Sequence, residues 1–144
     1  MDWKKIIKDE IAEYEENLES VENLKKRIKR CEEDKRAIKS ARADGTPARG
    51  GGSGIEDRWV NLITEEDLAK EQLKRINRKI AMVNRGLEKL SERDRDILRQ
   101  MSVHKYGDGI PEKLCEKYAI ENATLYRLWK DASKKYKSYQ FGNE

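Results

Sequence analysis

No apolar run in this sequence approaches the roughly 20 residues that a membrane-crossing helix needs. The charged N-terminus also lacks the apolar core of a secretory signal. Cysteine is scarce, and neither Cys31 nor Cys115 has another Cys or His at metal-ligand spacing, which excludes a zinc framework. Both fall on apolar faces of helical patterns, so reduced core thiols in a cytoplasmic protein are expected. His104, the only histidine, has no Cys or Ser partner with an orienting acid, and no paired carboxylates suggest acid–base chemistry. Neither an enzyme nor a cofactor is expected. Apolar residues make up only 36%, too few for a thick core along all 144 residues. With 42% charged residues and two prolines, the composition instead favours long helices.

Two such helices stand out. Residues 2 to about 41 place Ile7, Ile11, Tyr14, Leu18, Val21, Leu24, Ile28, Cys31 and Ile38 at spacings that are mostly 4-3-4-3. At 1.5 Å per residue this is a rod of roughly 60 Å, with the narrow stripe of a coiled-coil seam. Trp3 sits one turn before the seam, positioned to pack at its end. A second rod starts near Ile55–Trp59 and continues to Leu90. Trp59, Leu62, Glu66, Ala69, Leu73, Ile76, Ile80, Val83, Leu87 and Leu90 hold a 3-4 alternation with one polar entry. Thr64 to Asp67 resembles a capping box, so a break near Leu62 is an alternative.

Between the rods, the Gly-rich stretch at 42–54 reads as a flexible loop that no helix sustains. It lacks the Lys–Ser/Thr pair and preceding strand of a phosphate-cradling loop. Charge order sets the pairing of the rods. Residues 9–22 hold seven acids and no base, and 25–30 hold five bases and no acid. In the second rod, 56–67 carry five acids and one base, while 70–85 carry six bases and one acid. Folding back at the loop sets opposite charges together, so an antiparallel hairpin over residues 1–90 is expected. A two-helix hairpin has a thin core, and two hairpins joined as a four-helix bundle bury more, so a homo-oligomer through this hairpin is expected.

From residue 91 the pattern changes to a small three-helix domain over 91–138, followed by a tail at 139–144. Ser91 and Asp94 mark a helix start of capping-box type, with Ile97, Leu98 and Met101 inward. His104 to Gly109 forms the exit loop, His104 serving at the surface or as a cap. Pro111 suits the first turn of the next helix. Leu114 and Tyr118 share one face, small Cys115 and Ala119 suit a close crossing, Ile120 plugs the turn, and Leu125, Leu128 and Trp129 begin a second face. Two short helices joined this way form a helix-turn-helix, whose second helix enters the DNA major groove. Its outward positions Asn122, Thr124, Tyr126, Arg127, Lys130 and Lys134 carry donors suited to base edges and phosphates. From Arg127 to Lys137 there are five bases against one acid. The fold class expected is therefore all-α, a long antiparallel coiled-coil hairpin followed by a helix-turn-helix domain, with double-stranded DNA as partner and no membrane.

The segment LSERDRDILRQM, its loop and the helix-turn-helix are similar to region four of sigma factors. The whole layout resembles phage transcriptional regulators of the ArpU and RinA type, with a charged N-terminal coiled coil in DWKKIIKDEIAEYEENLESVENLKKRI, a GGGSG interruption and a sigma-like C-terminal domain. This resemblance implies activation of phage late genes at promoter DNA together with host RNA polymerase, in the cytoplasm of a bacterial host. Arg127 matches a polar reader position of the sigma helix. The sigma parts that melt promoters have no counterpart, so the resemblance implies that the chain does not initiate transcription alone. Two rival readings are a small terminase-like packaging protein and a coiled-coil adaptor without a DNA function.

Overall fold

The computed structural model describes residues 1–43 and 52–142. Among them are five helices and no strand: α1 (Trp3–Ala43), α2 (Gly52–Leu87), α3 (Glu92–Val103), α4 (Ile110–Tyr118) and α5 (Asn122–Phe141). The protein is all-α. The chain forms two compact units, one of Met1–Leu18 with Lys79–Glu144 and one of Glu19–Arg78.

In the Glu19–Arg78 unit, Leu24, Cys31 and Ile38 of α1 and Ala69 and Ile76 of α2 are buried. These are seam positions of the 3-4 spacing, and Val21, Ile28, Leu62 and Leu73 are half-buried beside them. The helices run antiparallel here: Arg27 shares a groove with Leu68, Gln72 and Arg75, whereas Lys35, further along α1, pairs with Glu66, earlier in α2. Glu66 is the polar entry in the seam and is only 3% exposed. Its carboxylate is held by Lys35 and, at 3.0 Å, by Lys70. Hydrogen bonds from these two lysines keep the carboxyl below the usual range despite the cost of burial. Burial, with Glu65 and Glu66 nearby, pushes the Cys31 thiol up and makes it a poor nucleophile.

The bounds expected for the Gly-rich loop are corrected. Residues 42–43 and 52–54, read as loop, are the end of α1 and the first turn of α2; the remainder of the expected loop, 44–51, lies outside the described residues. α2 is continuous past Leu62 as expected, which sets aside the alternative break there: Thr64 spends its hydroxyl on the Val60 carbonyl at 2.9 Å rather than starting a new helix.

The other unit is built on two adjoining apolar clusters. The first joins Ile7, Ile11 and Tyr14 of α1 to Val83, Leu87 and Leu90, to Leu98 of α3, and to Ala132 and Tyr136 of α5. The second joins Ile97 and Met101 of α3, Leu114 of α4 and Leu125 of α5, with Ile120, Tyr118 and Leu128 at its edge. Trp129 packs against both. Each buried Leu or Ile contributes about 1.5–3 kcal/mol relative to exposure. Because the start of α1 and the end of α2 share a core with α3 and α5, the division does not fall at residue 90 as expected.

Polar contacts fix the same packing. Ser91 caps α3 by accepting the Asp94 N–H at 3.1 Å. α2 ends at Leu87 rather than at the expected Leu90. There the Leu87 carbonyl accepts from the Leu90 N–H at 3.0 Å, and Arg95 donates to the Leu87 and Leu90 carbonyls at 3.0 and 3.3 Å, fixing the turn out of the helix. Arg99 holds Glu15 through two bonds of 2.6 and 3.1 Å, and Tyr14 donates to Asn84 at 2.6 Å. Tyr136, fully buried, donates to Glu10 at 2.9 Å. The tail expected from 139 is instead helical to Phe141, because Gln140 donates to the Met82 carbonyl and Phe141 packs on Trp3 at 5.1 Å between ring centroids.

Glu66→Leu completes the apolar seam and leaves Lys35 free to extend into water, so thermal stability is expected to hold or rise. Lys35→Met leaves the carboxylate with one partner and is expected to cost about 1–2 kcal/mol. Since the folded carboxyl lies below its unfolded value, its contribution is complete above about pH 4.3 and lost as the pH falls through and beneath that value. Melting curves between pH 3 and 7 are expected to show this acid sensitivity reduced in Glu66→Leu, and an identical pH profile would contradict the account. At Gly86, an added Cβ would stand 2.7 Å from the Tyr136 ring and 2.8 Å from Gln140. Gly86→Ala, normally stabilising within a helix, is expected here to cost about 1–3 kcal/mol by overpacking. Urea titration provides the check, and a stabilised variant would show that α5 gives way at no cost.

Candidate nucleic-acid interface

α4 begins after Gly109, whose φ of 74° suits a residue without a Cβ. The loop before it is organised by Asp108, which accepts from the Ile110 and Lys105 N–H groups at 2.9 and 2.6 Å and contacts His104 Nδ1 at 2.7 Å. His104 itself ends α3 as its C-cap. Asp96 of α3 then ties α4 down, accepting from Lys117 at 2.8 Å, Tyr118 at 2.5 Å and Gln100 at 2.6 Å. Burial pushes the Asp96 carboxyl up, but these three donors outweigh it and hold it below the usual range.

The turn from α4 to α5 is short. Ala119 adopts the left-handed conformation, φ 52° and ψ 50°, and the Ile120 N–H bonds back to the Cys115 carbonyl at 3.0 Å. This six-to-one closure usually carries Gly at the position of Ala119. Ile120 seals the turn by packing on the second cluster. Glu121 precedes α5 in extended conformation and makes no side-chain cap.

α5 presents one face inward through Leu125, Leu128, Trp129, Ala132 and Tyr136. The remaining positions are set by that choice. Arg127, Lys130 and Lys134, spaced 3-4, are exposed on the opposite side. None of the three makes an ion pair among the described residues. Tyr126 is exposed and leans on Trp129 at 6.1 Å between centroids. Asn122 is exposed but accepts from the Cys115 thiol at 3.3 Å, and Thr124 is half-buried. Of the six positions expected to face a duplex, Arg127, Lys130 and Lys134 therefore form one contiguous cationic stripe. Tyr126 borders it, and Asn122 and Thr124 stand apart at the helix start.

Sequence reasoning did not include the beginning of α1. Lys4, Ile7 and Lys8 join Tyr126, Trp129, Lys130, Lys134 and Lys137 around a cleft of about 440 Å³, with Trp3 at one end. No carboxylate lines it. Lys4 stands 5.3 Å from the Trp129 ring centre and Lys137 stands 4.7 Å from that of Trp3, both as cation–π pairs. The lysines at positions 4, 5 and 8 were the available signal, hidden because the acids of residues 9–22 balance the charge of this helix. Chemically the region offers cationic donors and flat aromatic faces, suited to anions that carry rings. Among the described residues, no group of three His, Cys, Asp or Glu side chains is placed to hold a metal ion.

The left-handed Ala119 carries a steric cost that glycine avoids, partly offset by the greater freedom of glycine when unfolded. Ala119→Gly is expected to stabilise the fold by about 0.5–1 kcal/mol. Guanidinium unfolding measures it, and a destabilised variant would mean that the Ala119 methyl contributes packing that outweighs its strain.

No family model matches the chain, and no curated protein or solved structure matches it either.

Proposed function

We propose that this protein is a sequence-specific DNA-binding regulator of transcription, with α4 and α5 acting as a helix-turn-helix and α5 lying in the major groove. The observation that carries this reading is the exposed stripe of Arg127, Lys130 and Lys134, free of ion pairs among the described residues, on a helix whose other face is anchored in two apolar clusters. Such a helix presents its cations without the ordering cost that a flexible tail would pay on binding. The first turn of α5, uncapped by Glu121, also leaves N–H groups available to a phosphate oxygen. In this reading Arg127 reads a base edge, Lys130 and Lys134 hold phosphates, and Tyr126, Asn122 and Thr124 lie nearest the groove wall. The similarity to sigma region four and to phage regulators of the ArpU and RinA type extends it to activation of phage late genes with host RNA polymerase.

The test is a gel-shift series on a duplex selected from a random pool by the intact protein. Arg127→Ala is expected to weaken the selected duplex by about 1–3 kcal/mol and a scrambled duplex much less. Equal loss on both makes Arg127 a phosphate contact. Affinity is expected to fall steeply with salt concentration; a flat salt titration, or failure to enrich any duplex, rejects the reading.

A further inference from the structure

The cleft between the start of α1 and the flank of α5 differs from an ordinary phosphate-contacting surface. A cation stripe that only follows a DNA backbone needs no apolar interior. Here two indoles and a phenol, Trp3, Trp129 and Tyr126, share one concavity with Lys8, Lys130 and Lys134. Its volume of about 440 Å³ falls within the range typical of small-molecule sites, roughly 300–1,000 Å³. Ile7 is the only aliphatic side chain lining it, so it is a poor tunnel for an acyl chain. Flat faces with ammonium groups around them suit a planar ring bearing an anionic substituent.

The lysines have two roles in this arrangement. Lys4 and Lys137 rest on indole faces, covering apolar surface that a ring would otherwise occupy. Lys8, Lys130 and Lys134 make no ion pair among the described residues and remain available to an anion. Two serines add direction. Ser102, buried, donates to the Leu98 carbonyl at 2.5 Å, and Ser133 donates to the Trp129 carbonyl at 2.8 Å. Both line the cleft with their protons already spent, so their oxygens are left as acceptors. An exocyclic amino group is the complementary donor.

We propose that this cleft binds a nucleoside phosphate with an amino-bearing base. The base stacks on Trp129 and Trp3 in place of Lys4 and Lys137, and the phosphate is held by Lys8, Lys130 and Lys134. Base–aromatic stacking with cationic support is the chemistry by which unpaired nucleotides are held in general. The nucleotide comes either free or from the end of a single strand. Lys130 and Lys134 belong also to the face assigned to duplex DNA, so occupancy of the cleft lowers duplex affinity. That coupling rests on the DNA-binding reading, but nucleotide binding itself does not.

The experiment uses the full chain carrying Trp59→Phe, so that emission reports only Trp3 and Trp129, and contains no duplex. Adenosine 5′-monophosphate is titrated alongside adenosine, inorganic phosphate, inosine 5′-monophosphate and a short single-stranded oligoadenylate. The adenosine monophosphate is expected to change the emission saturably and to bind about tenfold or more tightly than either adenosine or phosphate alone. Lys8→Glu and Lys134→Glu are each expected to weaken it by about tenfold or more with an unchanged circular dichroism spectrum. Inosine monophosphate is expected to bind more weakly than the adenine nucleotide, and equal binding overturns the role of the serines. Tighter binding of the oligoadenylate assigns the source as a strand, and tighter binding of the mononucleotide assigns it as a free ligand. The proposal is overturned by the absence of a saturable change, by phosphate alone binding as well as the nucleotide, or by full affinity in Lys8→Glu. None of these outcomes depends on whether duplex DNA binds, which the gel-shift series reads separately.

Discussion

The placement of Trp129 decides how α5 can lie. Its ring packs on the cluster that holds Ile7, Leu98 and Tyr136 and also on the cluster that holds Ile97, Leu114 and Leu125. Tied to both clusters through this one indole, α5 cannot turn about its axis without exposing Leu125 and Tyr136, both fully buried. Once that angle is set, the positions 3 and 4 apart on the opposite side must face water. Arg127, Lys130 and Lys134 occupy them. The cationic stripe is thus a consequence of apolar packing behind it, and no polar contact of its own is needed to hold it.

The same packing brings the first turns of α1 beside α5. Ile7 and Ile11 are buried in the cluster that includes Tyr136, and about one helical turn earlier than each, Lys4 and Lys8 line the cleft. Three of the acids that follow in α1 are used elsewhere. Glu10 accepts from Tyr136, Glu13 pairs with Lys79 and Glu15 with Arg99. Glu10, Glu13 and Glu15 are therefore engaged with α5, α2 and α3, and no carboxylate is among the residues that line the cleft. Local segregation, rather than the modest net charge of +4, makes this surface electropositive.

Much of the fold was legible because apolar spacing is a direct record of burial. Ile7, Ile11, Tyr14, Leu24, Cys31 and Ile38 in α1, and Ala69, Ile76, Val83, Leu87 and Leu90 after the loop, were all read as seam positions, and all are buried. The Ser91 cap and the inward trio Ile97, Leu98 and Met101 followed from local rules as well. What spacing cannot express is which partner a stripe meets. Ile7 and Ile11 read as part of one uninterrupted rod, yet they pack against α3 and α5, which moves the division between units into the long helices. For the same reason the cleft was invisible: its two walls lie more than 110 residues apart in sequence. The helical end of α5 was missed because its anchors, Gln140 on the Met82 carbonyl and Phe141 on Trp3, are also distant in the chain.

Glu66 has a consequence beyond its own energetics. A repeating apolar stripe slides easily, since a shift by one heptad replaces each Leu or Ile with another of similar size. The carboxylate limits that freedom. Moving α2 by seven residues along α1 in one direction would set Glu66 beside Ile28 in place of Lys35, leaving the buried carboxylate with Lys70 alone. A single acid in the seam therefore disfavours a slip towards Ile28 that the apolar residues alone would allow.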